Sequence, residues 1–366
     1  MRIRLIALGV VVVLLVLAAH FKSALAARGT PGSSEFGYGA HLDLTGPFAI
    51  DGIRLASNLQ LDWLALDLSW QSIAPKTGAV DWSRLDPIME MAEHSQLAVF
   101  LSLVEPPDWA LGPQGPDIAQ TTKLVLQMAQ RYPNSLQAVE LFPGANTRQG
   151  WGRQPDPGAY LKLWNSVVAS LQKVKSPIIL VAAGLKPVPV NSAPTEAMDD
   201  LVFLQNLYNL GIRSSLNIIS VQAAGLTGEP LQSPTKEQNL VLRHYEEVRQ
   251  VMLKNKHESG LIWLTRLAPP SGQETGSDPQ AQDPANQSAW LVQAYNQVKS
   301  QLYIGVAFLN GINPSPAAQG ISLLQPGGDY HPIYRTLRDL VSINRSDSLY
   351  HRPGRPKDQP LQKSIK

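Results

Sequence analysis

The chain has 366 residues, of which 44% are apolar and 16% are charged, so it is long enough to bury one large core. The formal net charge is only +2, and no long basic run with interleaved aromatic residues precedes the C-terminal tail, so nucleic acid is not an expected partner. The sequence has no cysteine, which excludes disulfides and thiolate metal sites. It also lacks zinc-protease, P-loop and dinucleotide-binding motifs, so we predict no metal and no cofactor.

The N-terminus carries a targeting pattern. Two arginines in the first four residues precede an unbroken apolar run from Leu5 to Ala19, and Ala24 and Ala26 stand where a signal-peptide cleavage site has small residues. One interpretation is a cleaved signal peptide over residues 1–26. The other is an N-terminal membrane anchor over residues 5–27, since roughly 17–20 apolar residues can span a bilayer. Both predict an extracytoplasmic domain, secreted or anchored.

Strand and helix patterns then alternate along the chain. Residues 27–35, rich in Gly, Ser and Pro, are predicted to be a flexible linker. Helical periodicity predicts helices between the strands, with Ser83 as the N-cap of the second helix and a long helix over residues 237–254. Eight apolar runs predict strands at residues 36–42, 61–70, 97–104, 136–141, 178–183, 216–221, 261–265 and 302–309. This alternation indicates an α/β fold, a single (β/α)8 TIM barrel over residues 36–344, followed by a disordered, basic, Pro-rich tail over residues 345–366.

Two segments resemble a known family. After the second strand, residues 70–86 read WQSIAPKTGAVDWSRLD and fill almost every fixed position of the pattern W-x-x-I-x-P-x-x-G-x-x-D-W-S-x-L-D of retaining (β/α)8 glycoside hydrolases of the cellulase and xylosidase type. At the end of the fourth strand, Glu140 to Asn146 resembles the signature Glu-(Ile/Leu)-Trp-Asn-Glu-Pro-Asn of the same clan. The resemblance covers roughly residues 36–340 and implies a site at the carboxyl ends of the strands.

The resemblance implies two catalytic glutamates, and neither is present at the matching position. Gly144 stands where the family has its general acid/base, and Arg266 follows the seventh strand where the family has its nucleophile. A retaining glycosidase needs two carboxyl groups about 5 Å apart. Gly144 has no side chain to transfer a proton, and Arg266 reverses the charge of the nucleophile. We therefore predict a pseudoenzyme without catalytic residues of the family type.

Other acids could replace the missing pair. Glu105 and Asp43 fall near strand ends, and carboxyls roughly 6.5–9.5 Å apart would suit an inverting mechanism. An active O-glycosyl hydrolase with these relocated carboxylates is therefore an alternative. Asp67 and Glu140 are expected instead to pair with buried partners inside the barrel.

Binding is easier to retain than catalysis. Sugars stack on aromatic rings and hydrogen-bond to polar side chains, so the candidate ligand-binding residues are Tyr38, His41, Trp70, Trp109, Asn146, Trp151, Gln222 and Arg266. Packing is the competing explanation for Trp70, Trp109 and Trp151. Arg266 could instead neutralise Glu140 or Asp67 inside the barrel.

These patterns favour an exported pseudoenzyme that resembles a glycoside hydrolase and binds carbohydrate or acts as a scaffold in the cell envelope. A purely structural subunit of an envelope or membrane complex is a further alternative, since fold alone does not fix function. The expected partners are carbohydrate, the membrane through the N-terminal segment if it is uncleaved, and an envelope protein.

Overall fold

The structure is a computed structural model that describes residues 28–188, 193–223, 228–235, 240–269, 283–315 and 321–346. The predicted signal peptide or anchor lies outside the described residues. Of the predicted tail, only residues 345–346 are described, and they form the end of the last helix. Within the described ranges, no helix has the length and apolar character needed to cross a membrane.

Eight parallel strands close into a barrel. In chain order they are β1 Gly37–Leu42, β2 Trp63–Ser69, β3 Ala98–Val104, β4 Leu136–Leu141, β5 Ile179–Leu185, β6 Ile218–Gln222, β7 Leu261–Leu267 and β8 Ile304–Leu309. Each strand pairs with its neighbours in the sequence, and β1 closes the sheet against β8 in a register that places Gly37 opposite Val306. This confirms the predicted (β/α)8 barrel. Both ends of every predicted strand lie within two residues of the observed ends.

Helices follow the strands on the outside of the barrel. They are α1 Ala49–Asn58, α2 Leu85–His94, α3 Ile118–Arg131, α4 Pro157–Lys173, α5 Asp200–Asn209, α6 Tyr245–Lys254, α7 Pro284–Lys299 and α8 Ile333–Ser346. Four of them begin with an aspartate whose side chain accepts hydrogen bonds from N–H groups of the first turn, namely Asp117, Asp156, Asp199 and Asp283. These caps satisfy donors that the helix itself leaves unpaired.

Two predictions about helix starts are wrong. The N-cap position of α2 is Arg84, without a side-chain hydrogen bond, and Ser83 lies one residue earlier in a turn where its N–H donates to Asp81 Oδ1 at 2.9 Å. In the described part of the segment predicted as a helix over residues 237–254, α-helix begins only at Tyr245. Capping residues and hydrophobic periodicity therefore predict that these two helices exist, but they do not predict the residue at which each helix begins.

Strand alternation divides the buried residues into two layers. Side chains that point inward fill the barrel, and those that point outward pack beneath the helices. The interior cluster consists of Trp63, Ala65, Phe100, Ala138, Val181, Ile218, Trp263, Val306 and Phe308. The rings of Trp63 and Trp263 meet edge to face with centroids 4.8 Å apart. The lower barrel is therefore a packed core rather than a pore.

A segment before β1 closes the end of the barrel at which the strands begin, which we call the floor. Trp63 Nε1 donates to the Arg28 carbonyl at 2.8 Å, and Trp263 Nε1 donates to the Gly29 carbonyl at 2.9 Å. Buried indole N–H groups need acceptors, and this segment supplies both. The segment predicted as a flexible linker over residues 27–35 therefore contacts the barrel through the carbonyls of Arg28 and Gly29.

Two glycines allow this close approach. Gly29 has a left-handed φ of 78°. A Cβ on Gly305 in β8 would lie 2.3 Å from the Gly29 oxygen, a distance that real side-chain carbons do not reach. Only glycine at position 305 therefore permits the backbone contact.

We predict that Gly305→Ala lowers the free energy of unfolding by about 1–3 kcal/mol, because the added methyl must displace the floor segment. Urea denaturation followed by tryptophan fluorescence measures the change. Gly327→Ala is the matched control, since a Cβ on Gly327 has no neighbour closer than 4.0 Å. Equal unfolding midpoints for the two variants would contradict this packing of the floor.

Candidate functional site

Polar side chains gather at the end of the barrel at which the strands finish, which we call the mouth. Above the aromatic interior cluster, the strands contribute a set of polar residues that we call the mouth cluster: His41, Asp67, Ser102, Glu140, Ser220, Gln222 and Arg266. In (β/α)8 enzymes the active site lies at this end. The mouth cluster is therefore the candidate functional site.

Glu140 in β4 is a fully buried carboxyl. Ser102, its register partner on β3, donates from Oγ to Glu140 Oε2 at 2.7 Å, and Ser220 of β6 donates to Glu140 Oε1. Burial raises the pKa of Glu140 to about 7, and the two serine hydrogen bonds oppose this shift because they stabilise the carboxylate. Both oxygens are thus engaged, and at 1% exposure the carboxyl does not reach solvent.

Arg266 forms an ion pair with Asp67 across the mouth. Its Nη2 contacts Asp67 Oδ2, and the two side chains are 28% and 33% exposed. The pair joins β7 to β2, which are separated in the closed sheet by β8 and β1. Of the two partners considered for Arg266 from the sequence, Asp67 is the one that it contacts.

His41 lies beside this ion pair in β1. Its ring is buried against Phe308, with centroids 6.0 Å apart. Burial, followed by the positive charge of Arg266, lowers the pKa of His41 to about 3, so the imidazole is neutral at pH 7. His41 Nε2 and Asp67 Oδ1 are buried and have no hydrogen-bond partner among the described residues. Since buried polar atoms almost always have partners, these two atoms mark a place where a ligand's polar groups would be favoured.

Gly144, which the sequence resemblance predicts at the position of the family acid/base, lies in a tight turn after β4. Its φ is 75°, and its N–H donates to the Gly184 carbonyl at 2.7 Å. A Cβ at this position would lie 3.4 Å from Thr147 Oγ1 and 3.5 Å from Gln222 Nε2. There is room for a small group, but the left-handed backbone disfavours every side chain.

Three non-glycine residues near strand ends at the mouth also have a left-handed backbone. Glu105, Phe142 and Arg266 have φ values of 51°, 52° and 59°. Each such residue costs about 1–2 kcal/mol relative to the right-handed conformation. Gln60, Gln96, Lys175 and Lys256 have the same conformation at the floor, so this strain does not distinguish the mouth from the opposite end of the barrel.

Two predicted ligand-binding tryptophans are committed to packing. Trp151 is 1% exposed, and its Nε1 donates to the Gln114 carbonyl at 2.8 Å beneath a short hairpin. Trp70 is equally buried, stacks on Phe142 and meets the ring of Trp109 edge on with centroids 5.6 Å apart. The structure corrects their predicted placement, since neither ring offers a face to a sugar.

Tyr38 and Asn146 are also misplaced in the prediction. The Tyr38 ring points outward from β1 and stacks on Tyr295 of α7 with centroids 5.3 Å apart. Asn146 is fully buried and donates from Nδ2 to the carbonyls of Lys186 and Met198 at 2.9 and 3.0 Å. Both residues therefore stabilise the fold rather than line the mouth.

Trp109 and Gln222 remain partly exposed. Trp109 donates from Nε1 to the Ala74 carbonyl at 2.9 Å and lines a cleft of about 190 Å³ together with Thr77 and Lys123, among others. No mouth-cluster residue lines this cleft. Gln222 donates from Nε2 to the Gly184 carbonyl at 3.0 Å, so it stays at the mouth beside Gly144.

The two acids considered as substitutes have different surroundings. Asp43 Oδ1 accepts hydrogen bonds from the Thr45 N–H at 2.7 Å, from Thr45 Oγ1 at 2.8 Å and from the Gly46 N–H at 3.0 Å. Burial favours its neutral form, but hydrogen bonds from Ser315, Thr45 and Gly46 outweigh burial and lower the pKa of Asp43. Glu105 is exposed. A lowered pKa suits a turn-forming carboxylate better than a general acid.

Ser102 and Ser220 also belong to the site, although neither is among the residues predicted from the sequence. Each is a single hydroxyl within an apolar strand, at an inward position level with Glu140, and that spacing was the available signal. Among the described residues, no three or more His, Asp or Glu side chains are grouped so as to hold a metal ion.

Several solved structures that are similar to this chain are glycoside hydrolases. A family 39 glycoside hydrolase from the gut symbiont Bacteroides cellulosilyticus matches with a TM-score of 0.61 at 16% identity, over 84% of this chain and 63% of that chain. An intracellular xylanase from Thermoanaerobacterium saccharolyticum matches with a TM-score of 0.55 at 15% identity, over 82% and 95% of the two chains. An endo-β-1,4-glucanase from Xanthomonas axonopodis pv. citri matches with a TM-score of 0.56 at 12% identity, over 84% and 99%.

These matches confirm the predicted resemblance to barrel glycoside hydrolases at the level of the fold. The chain spans less than two thirds of the family 39 enzyme and nearly the whole of the other two. No protein-family model and no curated protein matches the sequence. At identities this low, similarity establishes the shared fold and leaves the activity to be argued from the site.

We predict that Glu140→Gln changes how stability depends on pH. The pKa of Glu140 in the folded protein, about 7, lies above that of a glutamate in the unfolded chain. The contribution of the neutral carboxyl to the free energy of unfolding is therefore fully present below about pH 4 and is lost as the pH rises through about 7. As the pH rises from about 4 to about 7, the free energy of unfolding of the variant should increase relative to that of the parent by on the order of 3 kcal/mol, since glutamine stays neutral. Urea denaturation at a series of pH values measures the gain. Glu105→Gln, at an exposed position, should follow the parent, and a pH-independent offset for Glu140→Gln would contradict the assignment.

We predict that Arg266 and Asp67 are energetically coupled. In a double-mutant cycle of Arg266→Gln and Asp67→Asn, the loss in unfolding free energy of the double variant should be smaller than the sum of the single losses by about 1 kcal/mol or more. The matched control is the exposed pair Arg54 and Asp51 on α1, with N and O 2.9 Å apart, for which we expect at most about 0.5 kcal/mol. Equal coupling in both pairs would show that the mouth pair is no stronger than a surface contact.

Proposed function

We propose that this protein is a non-hydrolytic, carbohydrate-binding (β/α)8 domain on the extracytoplasmic side of the membrane. The proposal rests on the residues at the ends of β4 and β7: Gly144 has no side chain, and Arg266 is paired with Asp67. Hydrolysis with retention needs one carboxyl to protonate the leaving oxygen and a second to attack the sugar. Neither position supplies one.

The remaining mouth carboxyls do not form a replacement pair. Glu140 has a raised pKa, as a general acid requires, but it is buried and both of its oxygens accept hydrogen bonds from serines. Asp67 is engaged by Arg266, and Asp43 forms a turn with Thr45. Each of these three carboxyls is thus held by a partner within the fold, and the exposed Glu105 at the end of β3 is a single carboxyl rather than a pair.

The mouth is nevertheless suited to hydroxyl groups. Its partly exposed polar groups are the Arg266 guanidinium and the Gln222 amide, and the neutral His41 Nε2 and the Asp67 Oδ1 lie buried beside them without a partner among the described residues. A sugar hydroxyl can both donate and accept a hydrogen bond, so adjacent hydroxyls can satisfy an acceptor and a donor of this set. Because Asp67 balances Arg266, the mouth favours a neutral polyol over a strongly charged ligand.

The extracytoplasmic location rests on the N-terminal pattern. The arginines at positions 2 and 4, the apolar run from Leu5 to Ala19 and the small residues Ala24 and Ala26 fit both a signal peptide and an anchor. Either form would place the barrel on the extracytoplasmic side of a membrane.

A second candidate is a purely structural subunit of an envelope complex. The observation that favours it is the use of Tyr38, Trp70, Asn146 and Trp151 in packing, which removes the aromatic platforms that sugar sites commonly use. In that case the mouth cluster would serve only to hold the strands together.

We expect the detergent-solubilised full-length chain to bind β-1,4-linked xylo- or gluco-oligosaccharides without releasing reducing ends. Titration calorimetry measures binding, and a reducing-sugar assay measures hydrolysis. His41→Ala should weaken binding about tenfold, the effect of one lost hydrogen bond of about 1.4 kcal/mol. His94→Ala is the matched control, because His94 is exposed at the end of α2, on the opposite side of the barrel from the mouth.

The other outcomes separate the alternatives. Sugar release that Glu105→Gln abolishes would establish a hydrolase with relocated acids and overturn the proposal. Absence of both binding and release, in a chain that remains folded by circular dichroism, would favour the structural subunit. Binding that is equally strong in the parent and in His41→Ala would place the sugar elsewhere, with the cleft beside Trp109 as the next candidate.

A further inference from the structure

Exposed apolar side chains occupy the turns of one half of the floor. Val174 is 46% exposed, Leu210 is 53% exposed and Leu302 is 94% exposed, and Leu253 at the end of α6 is 38% exposed. They lie in the connections that lead from α4, α5, α6 and α7 into β5 to β8. In a parallel barrel all such connections lie at one end, so these four side chains lie on the same face of the molecule, and we call this set the floor patch.

Positive charge surrounds the floor patch. The same four connections and the helix ends before them carry the exposed cations Lys173, Lys175, Arg213, Lys254, Lys256 and Lys299. The exposed acid in these stretches, residues 173–178, 209–217, 253–260 and 299–303, is Glu258. Apolar tips framed by lysines are a composition that suits the headgroup region of an anionic bilayer.

Helix capping does not account for all of this charge. Lys173, Lys254 and Lys299 lie in last helical turns, where a cation is favourable in any protein. Lys175 and Lys256 lie beyond the helix ends and have left-handed φ values of 53° and 58°, a conformation in which glycine is preferred.

The other half of the floor shows a different side chain in the same position. Gln60 after α1 and Gln96 after α2 have the same left-handed conformation, with φ of 56° and 55°, and carry no charge. The turn geometry is therefore compatible with a neutral residue, and the lysines are a property of the floor patch rather than of the turn.

The N-terminal segment joins the barrel at the same face. The carbonyls of Arg28 and Gly29 are held by the floor indoles of Trp63 and Trp263. Between the apolar run that ends at Ala19 and Arg28 stand eight residues, which reach at most about 28 Å when fully extended. If the apolar run lies in a bilayer, the floor is held close to that bilayer.

We propose that the floor patch docks on an anionic lipid surface. Leu302, Leu210 and Val174 enter the headgroup layer, and the surrounding lysines pair with lipid phosphates. The mouth then points away from the membrane, toward soluble or wall-borne ligands. This docking is independent of whether the mouth binds a sugar.

The absence of cysteine from the sequence permits a direct test with one labelled site at a time. Full-length Leu302→Cys, labelled with an environment-sensitive fluorophore, is reconstituted in vesicles of phosphatidylcholine with or without about 30% phosphatidylglycerol, whose headgroups supply the negative surface potential that attracts lysines. The control is Val202→Cys, which is 51% exposed in the first turn of α5, on the mouth side. We expect a blue shift and quenching by lipid-borne quenchers at position 302 in anionic vesicles, and neither at position 202.

A variant without four of the lysines distinguishes docking of the floor patch on the lipid from attachment through the N-terminal segment alone. Replacing Lys173, Lys175, Lys256 and Lys299 by glutamine in the Leu302→Cys chain should return the emission at least halfway to its value in neutral vesicles. Three results would overturn the proposal: a water-exposed probe at position 302 in anionic vesicles, equal responses at positions 302 and 202, or a response that persists undiminished in the glutamine variant.

Discussion

Closing eight parallel strands into a barrel forces every second residue of each strand into one narrow interior, where nearly all polar groups need a hydrogen-bond partner. The molecule meets this constraint differently at its two ends. At the floor, the indoles of Trp63 and Trp263 fill the space and donate to the carbonyls of Arg28 and Gly29. At the mouth, charged and hydroxyl side chains fill it. The N-terminal segment at the floor and the polar side chains at the mouth thus both supply hydrogen-bond partners to groups inside the barrel.

At the mouth, the side chains that hold the strands together are also those that a bound ligand would contact. Ser102 and Ser220 hold Glu140 between β3 and β6, and the contact of Arg266 with Asp67 joins β7 to β2. The contacts of Ser220 with Glu140 and of Arg266 with Asp67 join strands that are not neighbours, so they brace the top of the barrel. They also fix the atoms that a ligand would meet. A rigid polar surface of this kind lowers the entropic cost of ordering side chains on binding.

The sequence was informative about the strands and much less so about the site, for physical reasons. A buried parallel strand is an apolar run with polar ends, which can be recognised without knowing its neighbours. The role of a mouth side chain depends on segments distant in the chain. Trp151 is buried because the hairpin at Gln114 covers it, and Asn146 is satisfied by carbonyls 40 and 52 residues away. No local pattern around either residue contains that information.

The floor segment illustrates the same limit. Gly, Ser and Pro around residue 30 are typical of linkers, but composition does not reveal that two indole N–H groups require the carbonyls of Arg28 and Gly29. By contrast, the competing explanation for Arg266 could be stated in advance, because a guanidinium at a barrel mouth needs a carboxylate and Asp67 was at hand.

The left-handed turn at Gly144 sets a condition for anyone who wishes to install hydrolysis in this scaffold. A glutamate placed there would begin from a backbone conformation that costs about 1–2 kcal/mol. A second glutamate in place of Arg266 would leave Asp67 and Glu140 facing a third acid without their cation. The segment from Phe142 to Gly144 would have to be rebuilt first, and a new cation supplied. The backbone conformation after β4 thus hinders hydrolysis as much as the missing side chains do, so the design of an active enzyme should begin by replacing this loop.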